Sequence, residues 1–151
     1  MSDKRSYWVT TFTMETWEQG QKAGGTVNGY RSPSKGLFET LSIGDHVLCY
    51  IMGLKKFVAL QEVVSEAYVD ETPIWTSERF PFRVDVKPLL ILTPDTGVPI
   101  SSLMDKLDIF ADLKIPSCWG IYFQRSPRKW PNEDALKVVK AMEEVVRASN
   151  K

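Results

Sequence analysis

Histidine and cysteine are scarce in this 151-residue chain, which has one histidine and two cysteines. The single histidine, His46, excludes a metal site built from several histidines, and two cysteines are too few for a structural zinc site of the usual kind. Cys49 and Cys118 both lie in apolar segments. Reduced, buried thiols in a cytoplasmic protein therefore fit the sequence better than a disulfide framework.

Sequence motifs of common nucleotide-binding and hydrolytic enzymes are also missing. The chain has no Gly-x-Gly-x-x-Gly after a strand, no phosphate-binding loop ending in Gly-Lys-Ser or Gly-Lys-Thr, and no Gly-x-Ser-x-Gly turn. His46 and Cys49 are three residues apart on one predicted strand, so their side chains leave opposite faces. A pair of His46 with Cys118 stays open. We expect no catalytic residue, no metal ion and no cofactor.

The chain carries no excess charge, because 19 lysines and arginines balance 19 aspartates and glutamates. A protein dedicated to non-specific duplex binding normally has a clear positive excess, although a zero balance is compatible with a local basic patch. No apolar run approaches the roughly 20 residues that cross a membrane. The first residues lead into a strand-like segment instead of an apolar signal core. We expect a cytoplasmic protein with no membrane partner.

Short apolar and β-branched segments are present along most of the chain. They predict strands at residues 7–13, 46–52, 57–64, 82–92 and 119–123. Helices are predicted at residues 14–21, within 35–45, at 99–107 and at 133–148, the last capped by Asn132, and a loop is predicted at 28–34. No repeat or linker divides the chain, so residues 1–151 form one predicted domain. Its predicted class is α+β, with a small mixed barrel instead of a doubly wound sheet.

Three patterns predict which faces are buried. Residues 46–52 are apolar on both sides, so this strand is expected to be covered on both faces. In residues 82–87, apolar side chains alternate with Arg83, Asp85 and Lys87, which predicts a half-buried strand with one wet face. The C-terminal helix has an apolar stripe at helical spacing, formed by Leu136, Val139, Met142 and Val146.

A segment rich in rings and cations occupies residues 118–130. Its first part predicts a packed strand. Its second part is a loop that carries Arg125, Arg128 and Lys129, with no acidic residue at 123–132. A solvated loop and a phosphate-contacting loop both fit this pattern.

Several segments, taken in order, resemble one family. They are YWVTTFTMETW at residues 7–17, GYRSP at 29–33, LSIGDHVLCYI at 41–51, VVSEAYVDE at 63–71, RFPFRVDVKP at 79–88, and WGIYFQRS at 119–126 followed by an NEDA helix. This ordered set is similar to the EVE domain, a member of the superfamily of PUA-like barrels that includes the YTH readers of methylated adenine. The resemblance spans almost the whole chain. It implies a twisted, mostly antiparallel β-barrel with short helices at the rim and a C-terminal helix.

Members of the EVE family are thought to bind nucleic acid, in several cases by taking a modified base into an aromatic pocket. The resemblance aligns Trp17 with the tryptophan of the family's Glu-Asn-Trp and Tyr30 with the tryptophan of its Trp-Gly-Val-Pro. Phe80 aligns with the first aromatic of Tyr-Pro-Tyr-Arg-Val, and Trp119 with the tryptophan that opens the last strand. Thr16 stands where relatives tend to have asparagine, so the identity of the base is left open.

A bound base needs flat rings on its faces, at about 1–3 kcal/mol for each stacking contact, and polar groups on its hydrogen-bonding edge. The predicted pocket combines the aligned rings with nearby hydroxyl groups and consists of Thr11, Thr13, Trp17, Tyr30, Ser32, Phe80 and Trp119. Cations close to these segments are predicted to contact the flanking phosphates, namely Lys35, Arg79, Arg83, Arg125, Arg128 and Lys129. The predicted partner is a single-stranded or flipped base of RNA or DNA.

Two other functions stay open at the level of sequence. One is an enzyme that acts on a small molecule or nucleotide in the same cleft. The other is a protein-interaction module whose aromatic pocket takes a side chain. The predicted function is a non-catalytic nucleic-acid-binding module that reads a modified base, and the charged faces of the C-terminal helix are compatible with a monomer.

Overall fold

The computed structural model describes residues 5–31, 36, 40–76, 79–110, 123 and 126–149. The strands are β1 (Tyr7–Phe12), β2 (Val27–Tyr30), β3 (His46–Ile51), β4 (Lys56–Val63), β5 (Tyr68–Val69), β6 (Phe82–Ile91), β7 (Val98–Pro99) and β8 (Arg128–Trp130). The helices with described bounds are α1 (Met14–Lys22) and α2 (Asn132–Ser149), and short 3-10 turns lie at Ile100–Ser102 and Asp108–Phe110. The strand predicted at residues 119–123 lies, apart from Phe123, outside the described residues.

The strands form a mixed sheet in the order β2-β6-β4-β3-β1-β8, with β5 paired to β6 and β7 paired to β4. β1 and β3 are parallel, and the other described pairs are antiparallel. Together with the two helices, this arrangement confirms the predicted α+β class and the mostly antiparallel barrel with a C-terminal helix.

β3 lies in the middle of the sheet, and all of its residues are buried. Leu48 and Tyr50 belong to a cluster that includes buried residues of α2, which we call the helix-side cluster. Val47, Cys49 and Ile51 belong to a second cluster on the other face. The prediction that this strand is covered on both faces is confirmed.

The second face of the sheet is concave. Thr10 on β1 and Tyr30 on β2 belong to strands that three others separate in the sheet order, yet their hydroxyl oxygens lie 2.8 Å apart. The sheet must therefore curl around this face into a half-barrel. Helix α1 helps to close it through Trp17, which is 5% exposed. We call the buried hydrophobic residues on this face the concave cluster.

Helix α1 has defined signals at both ends. Thr13 and Thr16 form a capping box, in which each hydroxyl oxygen accepts a hydrogen bond from the backbone N–H of the other residue. At the C-terminal end, the Gly25 N–H donates to the Gly20 carbonyl oxygen, and Gly24 and Gly25 both have positive φ. These caps place Trp17 on the concave cluster.

Asp45 fixes the start of β3. Its buried carboxylate accepts hydrogen bonds from the backbone N–H groups of Ser6 and Ser42, at 3.1 and 3.0 Å. It also accepts one from the indole Nε1 of Trp8 at 3.0 Å. One side chain thereby connects the residue before β1, the loop before β3 and a ring of the concave cluster.

Helix α2 is rotated relative to the predicted apolar stripe, and the prediction for Leu136 is wrong because Leu136 is 50% exposed. Buried residues of this helix are Asp134, Ala135, Val138 and Met142, with Val139 and Val146 partly buried beside them. The carboxylate oxygens of Asp134 accept hydrogen bonds from the backbone N–H groups of Asp108 and Ile109. These bonds hold Asp134 inward and turn Leu136 towards solvent.

Three further predictions are corrected by the structure. Part of the loop predicted at residues 28–34 belongs to β2, because Asn28 and Gly29 pair with β6 instead of making a turn. The helix predicted at residues 99–107 is reduced to the 3-10 turn and the hydrogen-bonded turns that follow it. The wet face predicted for residues 82–87 is present at the exposed Lys87, but Arg83 is buried.

Replacing Asp45 with alanine is expected to lower the free energy of unfolding by about 3 kcal/mol or more. The buried Trp8 indole N–H loses its acceptor, which costs about 1–3 kcal/mol, and the part-buried N–H groups of Ser6 and Ser42 each lose a hydrogen bond to a charged group, worth about 1.5–3 kcal/mol. Urea unfolding measures this change. The control is Asp95→Ala on an exposed turn, which should change the free energy by less than about 0.5 kcal/mol. Equal stability of the two variants would contradict the role of Asp45.

Candidate functional site

A small cavity lies on the concave face between α1, β2, β4 and the chain segment around Trp75. Its volume is about 10 Å³, which is room for about one water molecule. Both rings and amide side chains occur among its lining residues, which are Phe12, Trp17, Gly20, Gln21, Gly25, Val27, Asn28, Gln61 and Trp75.

Three aromatic rings form apolar walls of the cavity. Phe12 and Trp17 meet edge to face, with ring centroids 5.1 Å apart. Trp75 meets Phe80 in the same way at 5.2 Å. Gly29 lets Trp75 lie against β2, because a Cβ at Gly29 would come within 2.7 Å of both Trp75 Cζ3 and Phe80 Cβ. Flat rings are thus packed around a narrow space.

Trp75 borders the cavity, and residues 70–76, which we call the Trp75 segment, are hydrogen-bonded to α1. The Trp75 indole Nε1 donates to the Thr16 carbonyl oxygen at 3.0 Å. Gln19 and Thr76 form a reciprocal pair, in which Gln19 Nε2 donates to Thr76 Oγ1 at 2.7 Å and the Thr76 N–H donates to Gln19 Oε1 at 3.1 Å. These contacts hold the cavity shut on the side of the helix.

Arg83 also holds the Trp75 segment. Its Nε donates to the Phe80 carbonyl oxygen at 3.0 Å, and its Nη2 donates to the Thr72 carbonyl oxygen. Its Nη1 lies 3.7 Å from Asp70 Oδ2, and its guanidinium carbon lies 5.5 Å from the centre of the Trp75 ring. Hydrogen bonds from Thr72, with a smaller contribution from Arg83, lower the pKa of Asp70. The carboxylate is therefore ionised at neutral pH.

A chain of polar side chains crosses the interior of the half-barrel. The Tyr30 hydroxyl lies 2.8 Å from Thr10 Oγ1, and the nearby Asn28 side chain acts on the pKa of the phenol. Asn28 Nδ2 donates to Gln61 Oε1 at 2.7 Å. Burial raises the pKa of Tyr30 well above its ordinary value, so the phenol keeps its proton. The polar chain starts on β1 and ends at Gln61 on the cavity wall.

Of the three aromatic residues of the predicted pocket that the structure describes, two lie on the concave face. Trp17 and Tyr30 are buried in the concave cluster, and Phe80 lies half-buried against the ring of Trp75. Trp17 lines the cavity. Tyr30 instead contributes its hydroxyl to the polar chain, so its ring is not an exposed wall.

The two predicted threonines of the pocket do not face the cavity. Thr10 and Phe12 point towards the concave face, so Thr11 points to the opposite face of β1. The Thr11 N–H donates to Ser126 Oγ. Thr13 is exposed, and its hydroxyl caps α1. Neither hydroxyl lies where a ligand in the cavity would meet it.

The four described cations among those predicted to contact phosphates belong to different parts of the chain, and one of them is buried. Arg83 is 3% exposed and is engaged with the Trp75 segment, so it does not lie at a rim. Arg79 is exposed beside Phe80 in the chain. Arg128 and Lys129 lie on β8, at the opposite end of the strand order from β2, and Lys129 is exposed. The predicted site residues outside the described part of the chain are Ser32, Lys35, Trp119 and Arg125.

Sequence reasoning did not place Asn28, Gln61 or Trp75 in the site. A signal existed for Gln61, which is an amide within the apolar strand predicted at residues 57–64. Trp75 carried the signal that singled out Tyr30, namely a ring in a polar loop. Nothing in the sequence indicated that Asn28 belongs to the site, because the dipeptide Asn-Gly is typical of turns.

Reactive groups are few in the part of the chain that the structure describes. No group of three histidine, cysteine, aspartate or glutamate side chains is arranged there to hold a metal ion. Burial in the concave cluster raises the pKa of the Cys49 thiol, which therefore stays protonated. None of the described helices combines the length and apolar character needed to cross a membrane.

The curled sheet with two helices is a PUA-like barrel of the kind found in YTH domains. The YTH domain of the Zygosaccharomyces rouxii MRB1 protein, solved with N6-methyladenosine RNA, superposes with a TM-score of 0.65 at 19% identity, over 93% of this chain and 88% of that one. A hypothetical protein from Leishmania major gives a TM-score of 0.61 at 18% identity, over 95% and 98% of the two chains. The protein Rpa0253 from Rhodopseudomonas palustris gives 0.62 at 22% identity, over 91% and 93%. At sequence identities this low, the structural similarity establishes the fold alone.

The particular family follows from the sequence match. The family model of the EVE domain matches residues 6–141, and the chain belongs to the EVE domain family. A curated relative, UPF0310 protein PH1033 of Pyrococcus horikoshii, is 26% identical over 152 residues, which cover 91% of this chain and 99% of the relative. The resemblance inferred from the ordered motifs is confirmed.

Gly29→Ala is expected to displace the Trp75 ring from β2. The added Cβ would overlap the ring and Phe80 Cβ, and overpacking of this kind lowers the free energy of unfolding by about 1–3 kcal/mol. Gly53→Ala is the matched control, because a Cβ at Gly53 meets nothing within 4 Å. Urea unfolding compares the two variants. A Gly29→Ala protein as stable as Gly53→Ala would contradict the close packing of Trp75.

Tyr30→Phe and Tyr50→Phe remove hydroxyl groups with opposite surroundings. The Tyr30 hydroxyl bonds to Thr10, whereas the buried Tyr50 hydroxyl has no hydrogen-bond partner among the described residues. Tyr30→Phe should therefore lower the free energy of unfolding by about 1–2 kcal/mol. Tyr50→Phe should leave it unchanged or raise it. The opposite order in urea unfolding would contradict the polar chain.

Tyr30 should also make stability depend on alkaline pH. Its pKa in the folded state lies above the ordinary value of 10.0. Below pH 10 the phenol of Tyr30 keeps its proton in both the folded and the unfolded state, so the free energy of unfolding has its full value. Above it the unfolded state releases the proton first, so the free energy of unfolding falls. Urea unfolding between about pH 9 and 11 should show a shallower fall in Tyr30→Phe than in wild type, and an equal fall would contradict this assignment.

Proposed function

We propose that the chain acts as a single domain that binds nucleic acid without catalysing a reaction. It takes one base, methylated or otherwise modified, from a single strand or flipped from a duplex of RNA or DNA. The base occupies the site that Trp75 borders, and the ring-lined cavity is the observation that carries the proposal. A cytoplasmic location belongs to the proposal, because both cysteines lie in apolar segments.

The chemistry of the cavity supports a flat ligand with a polar edge. Phe12, Trp17 and Trp75 offer apolar ring surfaces, and Asn28 and Gln61 offer amide groups. Stacking on an aromatic side chain stabilises a bound base by about 1–3 kcal/mol whatever the base. A methyl group on the base adds apolar area to bury, so ring-lined walls favour a methylated base.

The proteins of similar fold also support the binding of a modified base. The family to which the chain belongs shares its barrel with YTH domains, and the Zygosaccharomyces rouxii YTH domain was solved in complex with N6-methyladenosine RNA. RNA that carries N6-methyladenosine is therefore the first ligand to test. Fold likeness does not choose the base, because the pocket side chains determine that choice.

Binding requires the site to open. A cavity of about 10 Å³ holds about one water molecule and is far smaller than a base. Trp75 borders the cavity, and the Gln19–Thr76 pair holds its segment to α1. We infer that this segment moves away from α1 far enough for the base to enter between the rings of Trp17 and Trp75. Because the chain has zero net charge, few phosphate contacts are expected and affinity should depend weakly on salt.

Titration of short oligonucleotides tests the proposal. Single-stranded and duplex forms carry unmodified or methylated adenine or cytosine, and each is measured at two salt concentrations. We expect a preference for one modified base in a single strand, with a shallow salt slope of about 0.7 for each phosphate contact. Trp75→Phe should weaken binding of this base by about fivefold, which corresponds to about 1 kcal/mol of lost stacking.

The control variant is Trp130→Phe, since Trp130 is buried in the helix-side cluster away from the cavity. Its affinity should equal that of wild type, and circular dichroism checks that both variants are folded. No binding of any oligonucleotide at low salt would overturn the proposal. Equal affinity for every base, unchanged in Trp75→Phe, would place nucleic acid outside the cavity.

A further inference from the structure

We infer that the amide pair of Asn28 and Gln61 recognises the hydrogen-bonding edge of the ligand, a planar heterocycle with a donor and an acceptor on neighbouring atoms. The inference rests on the proposed function and assigns base specificity to two residues of β2 and β4. Neither residue belongs to the motifs that carry the family resemblance.

Stability of the fold does not account for the pair. The two side chains are 2% and 3% exposed on a face that is otherwise filled mainly by apolar residues. Burying an amide costs free energy unless the amide is hydrogen-bonded. Replacing both partners of a buried hydrogen bond by apolar groups of similar shape is often neutral or stabilising. Two amides at this place therefore indicate a role in binding.

The pair offers hydrogen-bonding groups to the cavity. A carboxamide has two N–H donors and an accepting oxygen, and the bond between the residues uses one donor of Asn28 and the oxygen of Gln61. Among the described residues, no partner engages the Nε2 group of Gln61, and this side chain lines the cavity. A ligand acceptor, such as a ring nitrogen or a carbonyl oxygen, is the complement of that group.

Neighbouring side chains fix the orientation of the pair. Asn28 is held by its 2.7 Å bond to Gln61 and lies near the Tyr30 hydroxyl, which is itself bonded to Thr10, so the amide is positioned before a ligand arrives. An Asn or Gln amide recognises a base through one donor and one acceptor together. Trp17 and Trp75 border the same cavity, so a base stacked on these rings would bring its edge to the amides.

Gln61→Met tests the inference, because methionine keeps the length of the side chain and removes its amide. For the base preferred by wild type, binding should weaken by about tenfold. The same oligonucleotide with an abasic position should change by less than about twofold. The differences in affinity among bases should shrink, while the salt slope stays the same because phosphate contacts are unaffected. Asn28→Leu should act in the same direction.

An NMR measurement on the wild-type protein tests the same inference without requiring that Gln61→Met folds. The side-chain amide NMR signals of Asn28 and Gln61 should shift when the protein is saturated with the preferred oligonucleotide. The matched control is the Asn132 side chain, which donates to the Arg5 carbonyl oxygen at the exposed start of α2. Its signal should not shift.

The outcomes separate this inference from the proposed function. A folded Gln61→Met that keeps the wild-type order of affinities would overturn the inference and leave nucleic-acid binding intact. Unshifted Gln61 signals at saturation would do the same. A wild-type protein that binds no oligonucleotide would overturn the proposed function and this inference together.

Discussion

The structure depends on covering both faces of its central strand. All of β3 is buried, and helix α2 covers one face only. The other face is covered because the sheet curls until β1 and β2 approach each other, where the hydroxyls of Thr10 and Tyr30 meet. Polar groups at this closure lie inside the half-barrel, so they must hydrogen-bond with one another. The hydrogen bond between Thr10 and Tyr30 is therefore a direct result of how the sheet closes.

A charged residue of β6 is also buried, on the face opposite the concave cluster to which its neighbour Val84 belongs. Arg83 follows Phe82 on β6 and would face solvent in a flat, open sheet. In the structure its guanidinium is surrounded by the Trp75 segment and is paired with Asp70 and two carbonyl oxygens. A buried charge costs several kcal/mol unless it is paired in this way. Once paired, it fixes a loop that has no regular secondary structure.

The pattern of apolar residues was sufficient to predict the long strands. β3 is covered on both faces and is therefore continuously apolar, and the first half of β6 alternates between apolar and charged residues. The pattern failed where a distant contact outweighed a local preference. Gly29 follows an asparagine as in a turn, but Trp75 packs against its bare backbone and keeps it in a strand. Leu136 fits an apolar stripe, but the hydrogen bonds of Asp134 rotate the helix. The cavity could not be predicted from the sequence, because α1, β2, β4 and a loop each contribute part of its wall. Of the residues that line it, the predicted pocket included Trp17 alone.

The hydrogen bonds between the Trp75 segment and α1 affect both the affinity and the rate of binding. A site that is competent only when open has an apparent dissociation constant equal to the intrinsic one divided by the open fraction. An open fraction of about one per cent would weaken binding about 100-fold. Where opening precedes ligand contact, the observed association rate levels off at high ligand concentration. The strength of the Gln19–Thr76 pair would then set how quickly the domain can sample its ligands.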